Sequence, residues 1–134
     1  MKELRLKTPK DIEDLLTGCA FYGTGGGGDV AIGRASLNSC LDRGLDIALK
    51  DPYDMKDDET YCCVFFMGSI APKTPETLAE MDRMGYTKRV YDPDSILMGA
   101  FRNMEEFLGK KIDGIFVAEP GGTNGACCIA AAMK

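Results

Sequence analysis

The most unusual segment of this 134-residue chain is Gly23-Thr24-Gly25-Gly26-Gly27-Gly28-Asp29. Four consecutive glycines lose more conformational entropy on folding than any other run. They persist where the backbone must take a positive φ or be approached closely. Set before a helix, their N–H groups and the helix N-terminus would form a site for an anion or a carbonyl oxygen. The alternative is a tight helix–helix turn with steric demands alone. The string satisfies G-x-G-x-x-G, but a dinucleotide fingerprint follows a strand within a βαβ unit, and this one follows a helix. No G-K-[ST] is present, so a Walker-type phosphate loop is excluded.

Two further segments leave the carboxyl ends of apolar runs: Met67-Gly68-Ser69-Ile70-Ala71-Pro72 and Glu119-Pro120-Gly121-Gly122-Thr123-Asn124-Gly125. If the two runs are parallel strands, both loops open on one sheet edge, where ligands of open α/β sheets collect. Glu119 ends its strand, where partial burial would raise its pKa and suit it to proton transfer. A solvated strand end or a structural ion pair is the other reading. Thr123 and Asn124 offer hydrogen bonds to an amide or imide, and Gly121 and Gly122 let the backbone come close to it. Ser69 has a nucleophile's hydroxyl but no base beside it. Cys19, a few residues before the glycines, is the best-placed thiol, with core packing as its competing role.

One absence excludes much chemistry: the chain has no histidine. Ser-His-Asp and Cys-His activation are gone, as is His-ligated zinc, so proton transfer falls to carboxylates, Lys, Tyr or Cys. The six cysteines, at 19, 40, 62, 63, 127 and 128, show no C-x-x-C spacing. Cys62 and Cys63 would point to opposite faces of a strand, and Cys127 and Cys128 lie about 100° apart on a helix. Neither pair converges on a metal, so no metal site and no cofactor is expected. The acidic stretch Asp51–Glu59 lacks EF-hand spacing and reads as a solvated loop. Sixteen basic against 21 acidic residues give a net charge of −5, without a basic–aromatic cluster, which disfavours nucleic acid. The longest uncharged stretch, 120–133, is too short and glycine-rich to span a bilayer. The N-terminus MKELRLKTPK has no apolar run behind it, so the expectation is no secretory signal, a reducing cytoplasmic setting and unpaired thiols.

Something must position these groups. Thr8-Pro9, Thr74-Pro75 and Asp92-Pro93 each pair a capping side chain with proline at a first helical position. They predict helices from Pro9 to about Tyr22, over 75–84, and over 93–108 with Gly109 as terminator. A further helix is expected over 29–43, ended by Gly44. Leu45–Lys50 reads as a short strand, Tyr61–Met67 as a buried central strand, and Ile112–Glu119 as a second buried strand. A last helix is expected from Ala126. Strands alternating with helices predict one α/β domain over 1–134, a small mostly parallel or mixed sheet flanked by helices. The last helix has neither a glycine stop nor a polar tail, so the expectation is a piece of a longer protein or a subunit completed by another chain.

LLTGCAFYGTGGGGDVAIGR, then MGSIAP, then EPGGTNG occur in that order, and together they resemble the N-terminal domain of the S-methyl thiohydantoin desulfurase family. The resemblance covers nearly the whole chain, but only the first part of the family's architecture, which continues into a β-rich second domain. It implies hydrolysis of five-membered cyclic amides or thio-imidates, in which water displaces methanethiol from an S-methyl thiohydantoin. It implies site-lining positions at Gly25, Gly26, Gly27, Gly28, Asp29, Glu119, Gly121, Gly122 and Asn124. With Thr24, Gly68 and Ser69 these form the expected substrate site, Glu119 acting as acid or base and Asn124 orienting the ring. The expected partners are a small-molecule substrate and either further copies of the chain or a chain supplying the second domain. The alternative is a non-catalytic ligand-binding or assembly domain.

Overall fold

Helix capping decides where the chain turns. In the computed structural model, which describes residues 3–66, 74–88 and 93–132, helix α1 runs Pro9–Gly23. Thr8 caps it: its hydroxyl accepts from the Asp11 N–H at 3.2 Å, while the Asp11 carboxylate accepts from the Thr8 N–H at 2.8 Å. These bonds satisfy donors that a helix start otherwise leaves open. Asp29 likewise caps α2, Val30–Asp42, accepting from the Ala31 N–H at 2.8 Å. Thr74 and Pro75 open α3, Pro75–Arg83, and α4 covers Pro93–Leu108. Asp92, the expected cap of α4, lies outside the described residues. Gly44 and Gly109 both take positive φ beyond their helices, at 69° and 66°.

Two short sheets accompany the helices, so the α/β class holds. β1, Leu4–Leu6, pairs antiparallel with β2, Ile47–Leu49, in the register Leu4 to Leu49. No strand was expected before the first helix; three residues are too few for periodicity to register. β3, Tyr61–Cys63, pairs in parallel with β4, Gly114–Phe116, in the register Tyr61 to Gly114. The parallel pairing is the expected one. The lengths are not: the ladder covers Tyr61–Cys63 of the expected 61–67, whose last residue lies outside the described residues, and Gly114–Phe116 of the expected 112–119. A central strand pairs along both edges, and among the described residues β3 pairs with β4 alone. Phe65 and Phe116 are accordingly exposed.

The last helix, α5, covers Gly122–Ala132 and so begins four residues before the expected Ala126. Tertiary bonding overrides a poor helical start: the Asn124 N–H donates to the Gly27 carbonyl at 2.9 Å, and the helix's own bonding follows with the Gly125 N–H donating to the Gly121 carbonyl at 2.9 Å.

α5 also joins the two cores. Ala126 enters a cluster with Leu6, Ile12, Leu16, Leu37, Cys40 and Ile47, drawn from α1, α2 and the first sheet. Its neighbour Cys127 enters the other, with Val64, Leu97 and Met98 beside β3, β4 and α4. Consecutive residues about 100° apart thus face different cores. Cys19, Cys40 and Cys127 are buried, in keeping with packing, and no disulfide joins the described cysteines. An Arg34–Glu13 pair clamps α2 to α1 across the glycine bend, with bonds of 2.5 and 2.9 Å.

Candidate functional site

The glycine bend meets the start of α5. A β-carbon on Gly27, where φ is +77°, would lie 2.9 Å from the Glu119 carbonyl oxygen and nearer still to the backbone of Gly121. One on Gly23 would lie 2.8 Å from the α-carbon of Gly121, and one on Gly28 would lie 2.6 Å from the Thr123 hydroxyl. On α2, a β-carbon at Gly33 would sit 2.7 Å from that of Ala126 and closer to the Gly122 carbonyl. Backbone therefore packs on backbone, and a side chain at these positions would hold the two segments apart. The Thr123 hydroxyl completes the seam by donating to the Asp29 carbonyl at 2.8 Å.

This seam brings the N-termini of α2 and α5 together. The positive ends of two helix dipoles lie on either side of the bend, a setting that favours negative charge. The Gly26 N–H is used internally, donating to the Gly23 carbonyl at 2.7 Å. Among the described residues, the amides of Gly25, Gly27 and Gly28 have no backbone acceptor. Thr24, which closes α1, takes φ 46°, the sole positive φ among described residues other than glycine. Left-handed backbone costs a β-branched residue energy, and such strain gathers where a chain holds a ligand.

All the expected site residues except Gly68 and Ser69 have a definite place. Thr24, Gly25 and Gly26 are exposed on the bend, Gly27 is buried beneath it, and Asp29 caps α2. Gly121 and Gly122 are buried at the seam. Glu119 stands at the same turn with its side chain exposed, the solvated strand end of its two readings, since β4 stops at Phe116. Asn124 is buried, and its side-chain oxygen accepts from the Phe66 N–H at 3.1 Å. It ties the exit of β3 to α5, a link that residue type alone did not reveal. Gly68 and Ser69 lie outside the described residues.

Cys19 packs its sulfur toward Gly125, whose β-carbon would lie 3.0 Å away, and burial pushes its thiol pKa up. A protonated, enclosed thiol is a poor nucleophile. Among the described residues no group of three or more Cys, Asp and Glu side chains could hold a metal ion.

A second polar cluster, absent from the sequence expectations, sits away from this seam. The Lys50 ammonium donates to the Glu59 carboxylate at 2.9 Å and to the Tyr61 hydroxyl at 3.1 Å, and Tyr61 donates to Glu59. These bonds fasten the acidic stretch to β3, with Tyr61 covering Gly114.

A parallel strand pair feeding a helix whose N-terminus is interlocked with a glycine bend defines a small α/β domain built around one backbone junction. The model of one family, the S-Me-THD-like N-terminal domain, matches residues 10–134, and the chain belongs to that family. No curated protein and no solved structure matches it.

Proposed function

We propose that this chain is a component of a hydrolase acting on a small cyclic amide or S-methyl thiohydantoin. One observation carries the reading: the approach of Gly27 to the Glu119–Gly121 turn, between the N-termini of α2 and α5. Family membership supports the substrate class. Water adds to the ring carbon that bears sulfur, and negative charge develops on the ring. The amides of Gly25, Gly27 and Gly28 and the two helix termini stabilise that charge. Glu119 takes a proton from the attacking water and returns it to sulfur as the carbon–sulfur bond breaks, releasing methanethiol, while the proton left on the added hydroxyl passes to the ring nitrogen and leaves the hydantoin carbonyl. Asn124, through Phe66, holds the neighbouring strand exit in place.

Methanethiol release from an S-methyl thiohydantoin tests this, with wild type compared against Glu119→Gln. The expected result is turnover lost in the variant while its melting transition stays within about 0.5 kcal/mol, as for an exposed surface substitution. Undiminished turnover in Glu119→Gln contradicts the assignment.

A second reading, a binding or assembly domain completed by another chain, draws on α4. Met104, Phe107 and Leu108 are exposed there, Phe107 by 86%. Binding of the cyclic compound without turnover by the isolated chain separates the two.

A further inference from the structure

Beside the glycine junction lies a groove of about 400 Å³. Leu15, Gly18, Cys19 and Tyr22 form one side, from a single face of α1, with Asp14 at the margin and Pro120 opposite. Pro120 is the chain neighbour of both Glu119 and Gly121, so the groove borders the turn of the proposed site. Its volume falls in the range of small-molecule pockets.

Gly18 makes the groove possible. It lies in the interior of a 15-residue helix, where glycine is a poor helix former. A β-carbon there would meet no atom within 4 Å. Packing explains the glycines of the seam but not this one, which leaves the groove floor open. Tyr22 forms a wall that is 76% exposed, held edge-to-face against Phe21 with centroids 5.4 Å apart. An aromatic wall beside leucine and proline, with one carboxylate at the rim, suits an apolar group rather than a charged one.

We infer that this groove receives the apolar substituent on the ring of the cyclic substrate, so that the protein selects five-substituted hydantoins over the bare ring. The inference rests on the reading of the junction as the ring's site. The junction's amides hold the polar ring, and the groove contributes affinity by burying the substituent.

Binding of hydantoin and of 5-benzylhydantoin to the whole chain, by calorimetry, tests the inference on wild type and on Gly18→Leu. Leucine favours the helix and fills the groove, so the melting temperature of the variant should not fall. Wild type should bind the benzyl compound about tenfold more tightly, roughly the effect of burying one small apolar group. Gly18→Leu should reduce that ratio to about twofold or less. Equal wild-type affinities, or a ratio that survives Gly18→Leu, overturns the groove while leaving the junction reading in place. Failure of both compounds to bind wild type overturns the junction reading, and the groove with it. Concentration-dependent self-association that Gly18→Leu abolishes gives the groove to a second copy and also overturns the inference.

Discussion

Gly33 shows most directly what the single residue contributes. It occupies a helix interior, where alanine would ordinarily be favoured, yet a β-carbon would meet Ala126 at 2.7 Å and the Gly122 carbonyl closer still. The obstacle is backbone, which cannot swing aside as a side-chain end does. Gly33→Ala is therefore expected to destabilise the protein by about 3 kcal/mol, as overpacking does, measured by urea denaturation. A variant as stable as wild type would mean that the seam between α2 and α5 is looser than described. The same seam gives a steric reason for Gly23, Gly27, Gly28, Gly121 and Gly122. Their presence was plain in the sequence. That they meet one another was not, since residues 27 and 121 are brought together only by tertiary folding. Glu119 shows the reverse limit: the apolar run before it left burial and a solvated end both open, and the strand's end at Phe116 decides for exposure.

At the scale of elements, local chemistry predicted most boundaries. Cap-and-proline pairs placed the starts of α1 and α3, and glycine placed the ends of α2 and α4. The misplaced boundaries are those that distant partners decide. α5 starts early because a carbonyl of the glycine bend accepts from its first turn, and β3 is short because β4 alone pairs with it among described residues. The Lys50–Glu59–Tyr61 cluster is likewise tertiary. Bonds from Tyr61, then Lys50 and the Lys56 N–H, hold the Glu59 carboxyl at about 2. Its folded pKa lies below the value near 4.3 of an unfolded chain. Its contribution to stability is present above pH ~4.3 and is lost as the pH falls toward 2. Glu59→Gln should therefore flatten the acid limb of the stability profile over that window, as followed by circular dichroism. An unchanged limb would contradict the cluster.

The whole molecule depends on α5, which sends Ala126 into one core and Cys127 into the other. Leu37 and Leu97 are at most 1% exposed, one in each core. Leu37→Ala and Leu97→Ala should each cost about 2–5 kcal/mol, the usual range for such truncations. Because one helix serves both cores, a single cooperative transition should shift in either variant; two separable transitions would contradict that coupling. Among the described residues no helix is long and apolar enough to cross a membrane. The proposed function requires that backbone amides at the junction of the glycine bend with α5 receive a small cyclic ligand. Its most direct measurement is a titration of hydantoin into the isotopically labelled chain, followed through backbone amide resonances. The largest shifts are expected on Gly25, Gly27, Gly28, Gly121 and Gly122. Saturable shifts centred elsewhere, with those five amides unmoved, would contradict it.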